Sequence, residues 1–262
     1  MLAKASRSPL IANLTPLAKA IDTRLHSHAL AHDDMQALLE SFGANTLELE
    51  LLKARGFPLE SNEQAYFLRT ASTPYAKQKF CFVDIETTGA RPQESQIIEI
   101  GAIMYENGRI VEEFDEFIYA PFVPEIITDI TGITANMLAN ARKAQAVLED
   151  FRVFLGQSVF VAHNVGFDYS FISHALETCG LGGLLNHRLC TIDLARKTIL
   201  SKRYSLQYLN EFLGINTPKA HRAYADALTA LKVFEIACLC LPSSICTAKD
   251  LITFSRSKHK GF

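Results

Sequence analysis

The chain has 262 residues, 48% of them hydrophobic and 21% charged, which supplies a sizeable core and excludes wholesale disorder. Its 26 basic and 28 acidic side chains give a net charge of −2, so it lacks the global basicity of an autonomous high-affinity nucleic-acid binder. No apolar run approaches the ~20 residues needed to cross a bilayer, and six cysteines without a C-x-x-C pair exclude a disulfide scaffold. Pro9, Asn13 and Pro16 interrupt any signal-like apolar stretch before Lys19, so a cytoplasmic protein with reduced thiols and no membrane partner is expected.

Residues 1–75 read as a small helical module suited to docking a partner. Asp33-Asp34 open a helix with Met35, Leu38, Leu39 and Phe42 on one face, and Gly43 suits its C′ position. Asn45 followed by Glu48 opens a second helix that Gly56 can end. Ser61 followed by Gln64 fits a capping box for a third, carrying Ala65, Phe67 and Leu68. His26, His28, His32 and Asp33 have metal-like spacing but no cysteine nearby, and read as polar surface before a helix. Thr70–Lys79, with Ser72, Thr73 and Pro74, is the expected linker.

From Lys79 strands and helices alternate. Phe80–Ile85, Ile97–Tyr105 and Arg109–Tyr119 read as strands, the last two joined by the hairpin signal Asn107-Gly108. Ala144–Leu155 is helical with Gly156 as its stop. Val159–Ala162 is a short buried strand, Phe167–Cys179 a helix and Leu189–Ile192 another strand. Helices are expected over Asp193–Ile199, Ser205–Leu213 and Tyr224–Leu241, the last ending in buried thiols at Cys238 and Cys240. A meander followed by this alternation predicts an α/β fold, a mixed sheet covered by helices on both faces. Residues 242–262, with Lys249, Arg256, Lys258 and Lys260, read as a loose polar, basic tail.

The densest chemical signal is Phe82-Val83-Asp84-Ile85-Glu86-Thr87-Thr88-Gly89. Side chains alternate along a strand, so Asp84 and Glu86 leave one face while Val83 and Ile85 enter the core. Two adjacent carboxylates on an apolar strand repel each other and lose solvation, a conflict that a hard divalent cation resolves. A second segment, His163-Asn164-Val165-Gly166-Phe167-Asp168, follows a strand directly and sets Asp168 in the first turn of a helix. The third is His221-Arg222-Ala223-Tyr224-Ala225-Asp226, with the histidine in a loop after Pro218 and the acid opening a helix. Taken singly, these read as a strand-end acid pair, a capping acid and a surface histidine.

Together, in this order, over roughly Lys79–Leu241, they resemble the DEDDh branch of DnaQ-like 3′–5′ exonucleases. Asp84 and Glu86 match the first motif, Asp168 the second, and His221 with Asp226 the H-x-A-x-x-D third. The sibling branch has Tyr four residues before the last Asp, where this chain has Arg222. Gln96–Ala102 and Ile130–Thr134 are similar to the proofreading epsilon subunit of bacterial replicative polymerase and its relatives. The resemblance implies an RNase H-like five-stranded mixed sheet, in agreement with the alternation.

It further implies two Mg²⁺ (or Mn²⁺) ions, one held by Asp84, Glu86 and Asp226. Asp84 would bridge to the second, held largely through water by Asp168. His221 would be the general base and touch substrate; Thr87, Asn164 and Phe167 would contact the terminal nucleotide, with Thr131–Ile133 near its base. The implied partners are DNA 3′ ends, single-stranded or frayed, since unstacking a paired base costs a few kcal/mol. The polymerase III alpha subunit is the candidate protein partner. No long linker or polymerase-binding segment follows Leu241, so docking is expected from the N-terminal helices. An RNase of the same family is one alternative, because 2′-OH discrimination rests on pocket shape. A silent polymerase-binding module is another, opposed by the five intact positions.

Overall fold

A computed structural model describes residues 13–26, 28–217 and 221–257. Lys4, Arg7, Pro9, Pro218, Lys258 and Lys260 lie outside them.

The N-terminal region comprises α1 (Thr15–Arg24), β1 (Leu30–Ala31), α2 (His32–Ser41), α3 (Thr46–Ala54), β2 (Leu59–Ser61), β3 (Ala65–Leu68) and a short α4 (Arg69–Ser72). The expected capping box opens α3: the Asn45 side chain accepts from Leu47 N–H, and Glu48 accepts from Asn45 N–H at 2.8 Å. Gly43 and Gly56 follow α2 and α3 with positive φ, as C′ residues do.

The third predicted helix is instead strand β3, in a three-stranded antiparallel sheet of order β1-β3-β2. The Asn62 side chain accepts from both Gln64 and Ala65 N–H, closing a hairpin turn where Ser61 was expected to cap a helix. Tyr66 and Phe67 then extend along a strand, as aromatic residues favour. Helices and sheet share one core that includes Leu17, Ile21, Met35, Leu49, Leu52 and Leu68.

The linker expected over Thr70–Lys79 is packed rather than free. Thr70 is buried and bonded to His187, and Tyr75 N–H donates to the Cys246 carbonyl. Arg55 Nε donates to the Gly183 carbonyl and Lys249 Nζ to Asp22. These contacts fasten the N-terminal region to the remainder of the chain.

The second sheet has five strands in the order β6-β5-β4-β7-β8. These are β4 (Phe80–Thr87), β5 (Ile97–Glu106), β6 (Arg109–Phe117), β7 (Val159–Ala162) and β8 (Arg188–Cys190). The meander is antiparallel, while β4-β7-β8 run parallel, so the mixed sheet is as expected. Asn107 and Gly108 both take positive φ, the requirement of the tight β5–β6 turn.

Both faces of β4 are covered. Cys81, Val83 and Ile85 pack under α7 (Ala144–Leu155) and α8 (Val165–Thr178), following α5 (Glu125–Thr131) and α6 (Ala135–Leu138) in the chain. Phe80 and Phe82 pack on the opposite face with α11 (Ala223–Cys238), which follows α9 (Thr191–Thr198) and α10 (Leu206–Phe212).

The expected loose tail contains a helix, α12 (Ala248–Arg256), opened by a Thr247–Asp250 capping box. Ala248, Leu251, Ile252 and Ser255 bury at helical spacing, and Lys249 between them is folded onto Asp22. Cys238 is partly buried, but Cys240 is exposed, because α11 ends at Cys238.

Candidate active site

Asp84 and Glu86 continue the face of β4 that Phe80 and Phe82 turn toward α11. Asp226 lies in the first turn of that helix. One carboxylate oxygen from each of Asp84, Glu86 and Asp226 falls within 4.8 Å of the others. Asp168, in the first turn of α8, is nearly fully buried; its charge still acts on Asp84, though it is outside that tight trio.

The electrostatics are those of crowded acids. Burial pushes Asp84 well above the ordinary carboxylate range, and Asp168, Asp226, Glu86 and Glu99 push it the same way. Burial, then Asp226, raises Glu86 to about 8. Burial raises Asp168 to about 7, against the backbone N–H groups of Asp168 and Ile85. The β4–β7 ladder ends at Phe82–Val161, which leaves the Ile85 N–H free for this role. Burial also raises Asp226, opposed by its bond from His221 N–H at 3.1 Å and by the His221 charge. Oxygen-only donors that are individually reluctant to ionise fit a hard divalent cation, which restores the charge that burial disfavours.

These shifts set a pH dependence. In metal-free protein Glu86 and Asp168 bind protons more tightly when folded, so their stabilisation is complete below their ordinary pKa values and lost toward pH 8. His163, lowered to about 4 by burial, works in the opposite sense up to its ordinary pKa near ~6.5. In chelator, the melting temperature should therefore fall as pH rises from ~6.5 to ~8. Glu86→Gln should flatten that fall, and saturating Mg²⁺ should cancel it. A melting temperature that is level or rising across this window in chelator would contradict the assignment.

The surrounding positions have their own local chemistry. His163 Nε2 donates to the Tyr204 carbonyl at 2.8 Å, which leaves Nδ1 to accept from the Thr191 hydroxyl. This neutral histidine ties the end of β7 to the α9–α10 connection. Asn164 is exposed and takes φ 74°, the left-handed turn into α8 that asparagine tolerates. His221, also exposed, has φ 64°. Thr87 is buried and its hydroxyl donates to the Gly89 carbonyl. Phe167 is partly buried with its ring 4.8 Å from that of Phe171. Thr131 Oγ1 donates to the Ile127 carbonyl and accepts from Ile133 N–H. The Ile133 side chain is wholly enclosed by Ile98, Ala120, Val123 and Leu138, so only the backbone of that segment is available to a ligand.

Sequence reading gave Glu99 no role and Arg222 no partner. Glu99, on β5 directly opposite Glu86, is 1% exposed and paired with Arg222. A lone charge inside the apolar run Ile97-Ile98-Glu99-Ile100 was the available signal, since buried charges are paired.

The family described as Exonuclease (RNase_T) matches residues 81–234, more than half of the chain. A PolC-type DNA polymerase III from Thermotoga petrophila is 39% identical over 158 residues, 59% of this chain and 11% of that protein. The DNA polymerase III subunit epsilon of Aquifex aeolicus is 36% identical over 157 residues, 59% of this chain and 78% of that one. Among solved structures, E. coli exonuclease I in a zinc-bound complex with single-stranded DNA aligns with TM-score 0.58 at 18% identity, over 64% of this chain and 42% of its own. Exonuclease X in complex with 5′ overhanging duplex DNA aligns with TM-score 0.51 at 22% identity, over 67% of this chain and 99% of its own. At these identities the two structures speak to the fold alone. The matched part is a small fraction of the PolC-type relatives.

Proposed function

The chain belongs to the RNase_T exonuclease family, and from that premise we propose that it is a metal-dependent 3′–5′ exonuclease acting on DNA. The observation that carries this reading is the convergence of Asp84, Glu86 and Asp226 from two elements far apart in sequence. Residues 79–241 are the proposed catalytic unit. Asp84, Glu86 and Asp226 would hold one Mg²⁺ or Mn²⁺ ion, and Asp168 would help to hold a second. When bound, the ions lower the pKa of the attacking water and neutralise charge developing on the scissile phosphate.

The chain's own residues supply the rest. His221 is the proposed base, because imidazole is the side chain suited to taking a proton near neutral pH. Its exposed position on the loop before α11 lets the ring meet a bound strand end. Asn164 and the edge of Phe167 are the proposed contacts to the terminal nucleotide. The Thr87 and Thr131–Ile133 backbone walls complete the pocket for its sugar and base. A cation among these acids would reverse the local sign toward a phosphate, so strand binding and ion binding are expected to be mutually dependent.

Release of nucleoside monophosphates from frayed or single-stranded 3′ ends is the activity expected of a proofreading component. One relative is named a PolC-type DNA polymerase III and another a DNA polymerase III subunit epsilon, which favours polymerase delivery of the strand over high intrinsic affinity. The N-terminal residues 1–75 are the proposed docking unit toward the alpha subunit. Retention of the full chain by immobilised alpha subunit is the expected result; none at micromolar concentration removes this assignment.

The deciding experiment incubates the full chain with 5′-labelled single-stranded DNA and RNA of one sequence, in Mg²⁺ and in chelator. The proposal expects stepwise shortening of DNA from the 3′ end in Mg²⁺ and none in chelator. Shortening of RNA alone identifies an RNase, and no cleavage of either identifies a silent module. His221→Ala should lower kcat by about 10² to 10⁴-fold while Mn²⁺ binding is retained, the range for loss of a general base. An unchanged rate would remove His221 from the chemistry.

A further inference from the structure

The Glu99–Arg222 pair sits where two otherwise separate facts meet. Glu99 faces Glu86 across the β4–β5 ladder, on the same side of the sheet, so two carboxylates stand opposite one another beside the acid trio. Like charges directly opposed on neighbouring strands are unfavourable. Yet the metal-type cluster comprises Asp84, Glu86 and Asp226 without Glu99.

Arg222 explains the exclusion. Its Nη2 donates to Glu99 Oε1 at 2.7 Å, and its Nε reaches Oε1 and Oε2 at 3.1 and 3.3 Å. The guanidinium also lies 5.1 Å from the centre of the Phe117 ring. The remaining capacity of Oε2 is taken by Ala223 N–H at 3.1 Å. Ala223 is the first residue of α11, so one buried carboxylate holds both the residue before the helix and the first N–H within it. His221 immediately precedes this anchor, and Asp226 lies three residues beyond Ala223. Gly101, two residues along β5 on the same face, lets the backbone of residues 223–224 lie directly on the strand.

We infer that Glu99 and Arg222 act as one positioning unit, which fixes the start of α11 so that Asp226 and His221 reach the acid pair of β4. Arg222 also keeps Glu99 from becoming a fourth free carboxylate in the trio. The inference deepens the proposed function and rests on it for the roles of Asp226 and His221. Neither residue touches the reacting atoms. A two-pronged fork is required: lysine supplies the charge but not the paired geometry.

The test uses the full chain and the variants Arg222→Lys, Arg222→Gln, Glu99→Gln and the double variant Glu99→Gln/Arg222→Gln. Mn²⁺ affinity is read by electron paramagnetic resonance, and kcat and KM on a single-stranded DNA oligonucleotide. Each Gln variant should weaken Mn²⁺ binding or kcat by about 10- to 100-fold, the usual cost of losing a partner that orients a metal ligand. KM should change much less, and Arg222→Lys should be intermediate. The double variant should be no worse than the worse single one, because paired groups are non-additive. Folded single variants with wild-type Mn²⁺ affinity and kcat would overturn the inference, as would fully additive losses. If Arg222→Gln does not fold, Arg222→Lys and Glu99→Gln decide on the same readouts. A wild-type chain that binds Mn²⁺ but cleaves nothing sinks the nuclease reading alone; the Mn²⁺ affinities of the variants still decide the positioning role.

Discussion

Asp84→Asn should abolish nuclease activity, by about a thousandfold or more, without loss of fold. Asp84 is the acid on which Asp168, Asp226, Glu86 and Glu99 all act. It is also one of the three acids whose oxygens converge within 4.8 Å. A bound metal supplies several kcal/mol of transition-state stabilisation, and ~4 kcal/mol corresponds to about a thousandfold in rate. Asparagine keeps the shape and removes the charge. Repulsion among the remaining acids then falls, so the metal-free variant should melt at or above the wild-type temperature. Activity loss with an undiminished melting temperature separates chemistry from misfolding. Retention of more than about a tenth of the activity would eliminate the metal assignment, since it corresponds to only ~1.4 kcal/mol.

Gly101→Ala should damage both stability and turnover. A Cβ added there would lie 2.1 Å from Tyr224 N, 2.2 Å from Ala223 C and 2.5 Å from Tyr224 Cα. All three atoms are backbone at the start of α11, so no rotamer change relieves the clash. The helix must lift from β5, carrying Asp226 away from Asp84 and Glu86. Overpacking of this kind costs about 1–3 kcal/mol and occasionally more, and this contact belongs at the upper end. Urea denaturation should give a loss of ~3 kcal/mol. The surviving folded fraction should turn over at least tenfold more slowly, a modest result for a misplaced ligand. Gly166→Ala is the matched control: nothing lies within 4 Å of its added Cβ, and it sits in the first turns of α8. It should stabilise the protein by up to ~1 kcal/mol through helix propensity. Equal behaviour of the two alanine variants would mean that the α11–β5 approach does not position the site.

The sheet was largely legible in the sequence because its signals are local. Dense apolar runs mark β4, β5 and β7, and Asn107-Gly108 marks the tight turn of its hairpin. The acid pair of β4 was legible for the same reason, since alternation alone puts Asp84 and Glu86 on one face. What escaped depends on competition or on distance. At residues 61–68 two turn chemistries competed, and the Asn62 side chain closed a hairpin where a Ser61 cap was expected. Helix α12 escaped because its buried stripe of Ala248, Leu251, Ile252 and Ser255 is thin and its flanks are charged. The Glu99–Arg222 pair joins residues 123 positions apart, and no periodicity reports such a contact. A solitary acid in an apolar strand announces that a partner exists without saying which.

Titration of chelator-treated full chain with Mn²⁺, followed by electron paramagnetic resonance at pH 8, tests most directly whether the acids of β4 and α11 form an ion site. Saturable binding in the wild type, lost in both Asp84→Asn and Asp226→Asn and displaced by excess Mg²⁺, is the predicted result. Absence of saturable binding, or binding undiminished by either substitution, would contradict the account at its root.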